Sequence, residues 1–297
     1  MRPVTITPKT YRFAAPVTDA RIDGLELAVH DWGGLGAPTL LAHPTGFHGR
    51  VFAPIAERLT AAGRRVWSFD FRGHGDSSAP DITYSWDGFA DDVLAVADHL
   101  DVAADPALVA AGHSKGAAAL ILAALRREGV FPRIWAYEPI MLPADEPLPP
   151  DEDFALARTA RKRRNEWAST GEAYAAYASK PPLSVMAPDV LRAYVEYGLR
   201  DRGDGVFELK CAPEIEARVY AMAPNNGLFA RLRDVQADVM VVCGEQSTDI
   251  GPRLATRIAE RLPHGHLSVM PGLGHFGPQQ DPDACAESIL AFAGARQ

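Results

Sequence analysis

Short apolar runs without polar alternation recur through most of the chain, separated by longer stretches whose apolar residues fall three or four apart. Pro38 to His43, Arg65 to Asp70, Ala107 to Gly112, Arg133 to Glu138, Ala237 to Cys243 and His266 to Met270 are of the first kind. Runs of this length, apolar on both faces, predict strands covered on both sides. Trp86 to Leu100 is of the second kind, with Phe89, Val93, Val96 and Leu100 on one stripe. Pro252 to Leu262 repeats it with Leu254, Ile258 and Leu262, behind a proline suited to a first helical turn. Strand alternating with helix predicts a mostly parallel sheet with right-handed crossovers. Tyr11 to Val17 and Ile22 to Trp32 are expected as antiparallel edge strands, with Asp23-Gly24 and Gly33-Gly34 as turns.

The rhythm breaks between Met141 and Met222. A linker carrying Pro143, Pro147, Pro149 and Pro150 opens this stretch, and a helical pattern with no buried-strand signal follows. Ser169 with Glu172 three residues on predicts a capping box, and Asp189 is expected to cap a second helix bearing Leu191, Tyr194 and Val195. The expected organisation is a core of residues 1–140 and 223–297 with a helical insertion at 141–222. No internal repeat interrupts it.

Composition narrows the classes. With 47% hydrophobic and 23% charged residues the chain reads as globular, and a net charge of −8 disfavours general binding to nucleic acid or anionic membranes. Cys211, Cys243 and Cys285 contain no C-x-x-C pair, which fits a reducing compartment. No signal-peptide core opens the sequence and no apolar stretch approaches 18 residues, so a cytoplasmic location is expected.

The sharpest chemical signal is Gly112-His113-Ser114-Lys115-Gly116, set between a buried strand and the helix-forming Ala117-Ala118-Ala119-Leu120. A serine on a tight strand-to-helix turn projects its hydroxyl beyond the sheet, and small flanking residues let the turn close. The helix N-terminus behind it favours developing negative charge. A serine nucleophile needs a base, and His275, in a loop after the last strand, stands where an imidazole can swing back over the sheet end. Two carboxylates could orient it. Asp249, after the strand ending at Cys243, is the preferred acid, although it also suits a helix N-cap before Gly251-Pro252. Glu138, closing the preceding strand, is the alternative.

Together with His43-Pro44-Thr45-Gly46 and Asp70-Phe71-Arg72-Gly73-His74-Gly75-Asp76-Ser77, these motifs resemble the α/β-hydrolase superfamily in its capped serine-hydrolase branch. The likeness covers about residues 20–140 and 225–297. It implies an α/β-hydrolase fold, a mostly parallel eight-stranded sheet flanked by helices with a helical cap inserted after the sixth strand. It further implies that the backbone N–H groups of Thr45 and Lys115 form the oxyanion hole. Two features depart from the family pattern. Pro44 replaces the usual glycine and offers no N–H, and the spacing from Gly244 to Asp249 is long, which keeps Glu138 in play.

The expected activity is hydrolysis of a carboxylic ester or lactone of a small-to-medium apolar substrate through an acyl-enzyme on Ser114, with no cofactor. The same residues would serve carbon–carbon or thioester hydrolysis or acyl transfer. Epoxide hydrolysis and dehalogenation are disfavoured, because by the resemblance they would carry aspartate at position 114. A catalytically silent ligand-binding protein is the rival from another class. A small-molecule substrate is the expected partner, and a homodimer is the assembly left open.

Other signals are discounted. His264-Gly265-His266 lacks accompanying metal ligands, and Gly33-Gly34-Leu35-Gly36 lacks the third glycine of a dinucleotide loop. Arg158, Arg161, Lys162, Arg163 and Arg164 read as a solvated helix face, with attraction of an anionic substrate such as a coenzyme A ester the lesser alternative. Trp167, Tyr174, Tyr177, Met186, Tyr194 and Tyr197 are expected mostly in the core of the insertion, with one or two lining an apolar pocket.

Overall fold

The computed structural model describes residues 6–17, 22, 24–143, 155–222, 227–248 and 251–295. Strands β1 (Lys9–Ala15), β2 (Leu25–Gly33), β3 (Pro38–Ala42), β4 (Arg65–Phe69), β5 (Val109–His113) and β6 (Arg133–Tyr137) come first, with helices α1 (Ala53–Ala61), α2 (Trp86–His99) and α3 (Lys115–Arg126) between the last four. The sheet is completed much later by β10 (Asp238–Gly244) and β11 (Gly265–Met270), with α9 (Pro252–Arg261) between them. Its eight strands run in the order β1-β2-β4-β3-β5-β6-β10-β11. β1, β2 and β4 are joined antiparallel, and every pairing beyond β4 is parallel. The eight strands and their antiparallel start match the reading from the sequence, since parallel strands buried on both faces leave continuous apolar runs.

Each face of the sheet buries its own apolar layer. Phe69, Phe89, Val93, Leu120, Val241 and Ile258 lie in one. Ile55, Leu59, Trp135, Val242, Ile289 and Phe292 lie in the other, where α1 meets α11 (Pro282–Gly294), which follows the four-residue α10 (Gly277–Gln280). β11 departs from expectation. It is an edge strand rather than a covered one, and Leu267 and Val269 are each 41% exposed.

The insertion follows β6, the sixth strand. It carries α4 (Ala155–Arg161), α5 (Thr170–Ala178), α6 (Pro188–Gly198) and α7 (Pro213–Met222), and the short α8 (Leu228–Arg231) leads back to the sheet. It also holds three short antiparallel strands, β7 (Glu166–Trp167), β8 (Leu199–Asp201) and β9 (Phe207–Leu209), in the order β7-β9-β8. Strands of two or three residues are too short to print a period of two, so no strand signal marked them. Ser169 caps α5 as expected, its hydroxyl accepting the N–H of Glu172 while the Glu172 carboxylate accepts the N–H of Ala168. Asp189 does not cap α6. Pro188 takes the first helical position, the cap is Ala187, and the Asp189 carboxylate accepts the N–H of Val190 inside the first turn. Of the linker prolines, Pro147, Pro149 and Pro150 lie outside the described residues, as does Asp23 of the first expected turn. Among the described residues no helix is long and apolar enough to cross a membrane.

Candidate active site

The elbow is built on a strained backbone. Ser114 has φ 53° and ψ −113°, a conformation that side-chain-bearing residues rarely adopt. Its N–H donates to the Tyr137 carbonyl at 2.8 Å, and its own carbonyl accepts the N–H of Ala118 at 3.1 Å, opening α3. The flanking glycines are required by close approach. A Cβ at Gly112 would lie 2.6 Å from the Ala117 nitrogen, and one at Gly116 would lie 2.2 Å from the Ala42 oxygen. Strand β5, helix α3 and strand β3 therefore pack against the turn with no room for a side chain on either side of the serine.

The carboxylate that meets His275 is Glu138. The imidazole Nδ1 lies 2.6 Å from Glu138 Oε2, and Glu138 is fully buried while the His275 side chain is 34% exposed. The Gly244 N–H donates to Glu138 Oε1 at 2.9 Å and the Ser247 hydroxyl to Oε2 at 2.9 Å. The residue sits at φ 42°, held there by its N–H donating to the Val242 carbonyl at 2.8 Å. Asp249, preferred from the sequence, lies outside the described residues. Among the described residues, the end of β10 and the loop after it contribute the hydrogen-bond donors of Gly244 and Ser247. A carboxylate directly after the apolar run of β6 was the signal for Glu138.

Thr45 and Lys115 are both buried, and neither backbone N–H meets an acceptor among the described residues. The loop bearing Thr45 is fixed from below. His43 Nδ1–H donates to the Pro44 carbonyl at 2.8 Å while Nε2 accepts the Phe71 N–H at 3.1 Å, so the ring is neutral with a defined tautomer. Burial, then the neighbouring Lys115 charge, hold its pKa well below the usual histidine value. Asp70 knits the second loop, accepting the N–H of Gly49 at 2.6 Å and of Asp76 at 2.8 Å, and contacting His30 Nε2 at 3.0 Å. Burial alone would raise the Asp70 pKa, but the His30 ring hydrogen-bonded to it outweighs burial and holds it well below the usual carboxylate range.

Over this floor stand aromatic rings. Phe47 lies 4.9 Å from the Tyr194 ring and 5.9 Å from Phe276, and Phe276 lies 5.5 Å from the His275 ring. The basic run in the insertion is not uniformly solvated. Arg161 and Arg164 form exposed pairs with Glu214 and Glu172, but Arg163 turns inward to Glu216 and donates to the Tyr194 hydroxyl at 2.7 Å. Glu216 in turn packs on Gly46, since a Cβ there would lie 2.6 Å from its Oε1. Spacing in the sequence held no sign of this pair, because its members come from segments brought together only by the fold of the insertion. Among the described residues no group of three or more metal-binding side chains assembles.

Comparison with known proteins agrees with the fold. The model of the alpha/beta hydrolase family matches residues 39–288. The bifunctional esterase/perhydrolase of Acinetobacter calcoaceticus is 26% identical over 287 residues, covering 91% of this chain and 96% of its own length. The 2-(acetamidomethylene)succinate hydrolase of Mesorhizobium japonicum is 25% identical over 265 residues, covering 88% and 90%. A crystal structure of an E-2-(acetamidomethylene)succinate hydrolase superposes with a TM-score of 0.78 at 23% identity, over 96% of this chain and 100% of the other.

Proposed function

Because the chain belongs to the α/β-hydrolase family, we propose that it is a serine hydrolase that cleaves a carboxylic ester or lactone, with Ser114, His275 and Glu138 as its triad. The observation that carries this reading is the 2.6 Å contact between the buried Glu138 carboxylate and His275, beside a serine strained at the head of α3. Ser114 Oγ attacks the carbonyl carbon as His275 Nε2 takes its proton. The Nδ1–H of the resulting imidazolium donates to Glu138, which stabilises that charge. The oxyanion is held by the free N–H groups of Thr45 and Lys115, with the α3 N-terminus behind them. His275 then protonates the leaving oxygen, which departs from an ester or stays tethered in a lactone. Water, deprotonated by the same imidazole, attacks the acyl-enzyme and releases the acid and Ser114.

The insertion at 141–222 acts in this reading as a cap, and the Phe47, Tyr194 and Phe276 rings favour an apolar acyl or alcohol group. A second substrate reading has one specific support. The relative named for hydrolysis of 2-(acetamidomethylene)succinate favours a substrate that carries a carboxylate of its own. Hydrolysis of p-nitrophenyl esters of rising acyl length, beside a p-nitrophenyl hemisuccinate, separates the two. Fluorophosphonate labelling and turnover are both expected to vanish in Ser114→Ala. A variant that keeps either at the wild-type level excludes Ser114 as the nucleophile. Failure of the wild type to label or turn over any ester would favour the silent binding protein.

A further inference from the structure

The His275 imidazole is held at Nδ1 by a single carboxylate and sits on a turn after the edge strand, with a third of its side chain exposed. One contact leaves a ring free to swing about it, whereas proton transfer from serine needs placement to about 0.5 Å. Something else must fix the main chain that carries the ring.

That part falls to Tyr137, the last residue of β6. Its hydroxyl donates to the Gly274 carbonyl at 2.7 Å, on the peptide that leads into His275. The phenol also fills the space under the far side of the same turn, where a Cβ at Gly277 would lie 2.0 Å from the hydroxyl oxygen. The ring is locked in turn. His113 stands edge-on to it at 5.5 Å and lies 4.9 Å from the His275 ring, and Trp135 packs at 5.8 Å while its indole N–H donates to the Ser288 hydroxyl at 3.0 Å. The backbone of Tyr137 serves the other two members of the triad. Its carbonyl accepts the Ser114 N–H at 2.8 Å, and the next residue is Glu138.

We propose that Tyr137 is a positioning residue that sets nucleophile, acid and base in one frame, its hydroxyl fixing the His275 turn against the strand end that holds Ser114 and Glu138. This rests on the serine-hydrolase reading. The hydroxyl is not needed to satisfy the Gly274 carbonyl, which already accepts the Gly277 N–H at 3.0 Å. Phenylalanine would fill the same volume without a buried hydroxyl, so packing alone gives no reason for tyrosine here. Burial raises the phenol pKa well above its usual value, and the group remains a donor throughout the working pH range.

The test compares Tyr137→Phe with Ser288→Ala, which loosens the same ring stack through Trp135 without touching the His275 turn. The readout is the second-order rate of fluorophosphonate labelling, which requires an activated serine and no knowledge of the substrate. Tyr137→Phe is expected to label at least fivefold more slowly and to lose at least fivefold in kcat on p-nitrophenyl acetate, with KM within twofold. The downfield proton NMR signal of the His275–Glu138 hydrogen bond, assigned by its loss in Glu138→Gln, should broaden or shift in Tyr137→Phe and stay in place in Ser288→Ala. Labelling and signal unchanged in Tyr137→Phe, with only the melting temperature lowered, would overturn the proposal and leave the tyrosine a packing residue. An equal loss of labelling in Ser288→Ala would also overturn it, because the effect would then belong to the stack and not to the hydroxyl. A wild type that does not label at all would overturn the hydrolase reading, and the proposal with it.

Discussion

Two sets of buried charges flank the nucleophile elbow, and they are built differently. On the β6 side, Glu138 is wholly buried but its partner His275 keeps one face open, on a turn at the rim. On the β4 side, His30, His43, Asp70, Arg72, His74, Asp92 and Lys115 are all at most 4% exposed. There His43 has both ring nitrogens committed to backbone groups, and the Arg72 guanidinium donates two hydrogen bonds to Asp92 at 2.6 and 2.8 Å. The first set leaves an imidazole where a ligand can meet it. In the second, His43 and the Arg72–Asp92 pair are committed to fixed hydrogen bonds, and they hold the loops bearing Thr45 and Gly75 in place. Charge in a protein interior therefore says little about catalysis until one asks which member can still meet solvent or substrate.

The comparison breaks most directly at its open side. Glu138→Gln should lower kcat by about a hundredfold to ten-thousandfold, since the amide neither stabilises imidazolium nor enforces the tautomer. Asp249→Asn should leave kcat within about threefold. Steady-state kinetics on one ester decides the matter, and the reverse ranking would return the acid to Asp249. On the sealed side the expected loss is stability. Asp92→Asn leaves the Arg72 guanidinium buried without its counter-charge, which should cost about 3–5 kcal/mol. Urea denaturation measures it, and a loss below about 1 kcal/mol would mean that water reaches the pair and the set is not sealed.

How far the sequence carried these distinctions follows from range. The sheet strands and the α5 capping box were legible because each rests on neighbours within a few residues. The elbow was legible for the same reason, since Gly112 and Gly116 answer to contacts that any tight strand-to-helix turn must make. The choice between Glu138 and Asp249 was not, because in the sequence each follows an apolar strand run, and only the fold brings Gly244 and Ser247 onto the Glu138 carboxylate. Arg163 was misjudged for a related reason. A run of five basic residues carries no mark of which one turns inward, and the Glu216 that draws it in lies 53 residues away. β11 shows the converse limit, because an apolar run does not reveal whether a strand has one neighbour or two.

The smallest expected effect concerns Lys115, which lies in the sealed set although it follows Ser114 directly. Its ammonium has no carboxylate partner among the described residues. It lies 4.1 Å from the centre of the Phe71 ring and 4.5 Å from that of Phe89, with His74 Nε2 at 3.4 Å. Burial pushes its pKa down to about 7, against about 10.4 in an unfolded chain. Between those values the unfolded state binds more protons than the folded one, so stability from this group rises with pH across the window and is flat below about 7. Lys115→Met keeps the volume and removes the charge. It should raise the melting temperature at pH 7, by roughly 2–4 °C for each kcal/mol of burial cost removed, and the gain should shrink towards zero at about pH 10. Calorimetry at the two pH values checks both parts. A gain of equal size at both would mean that packing, not charge, sets the cost. No gain at either would mean that the two aromatic faces compensate the buried ammonium in full, and the sealed set would then be free of strain at its one unpaired cation.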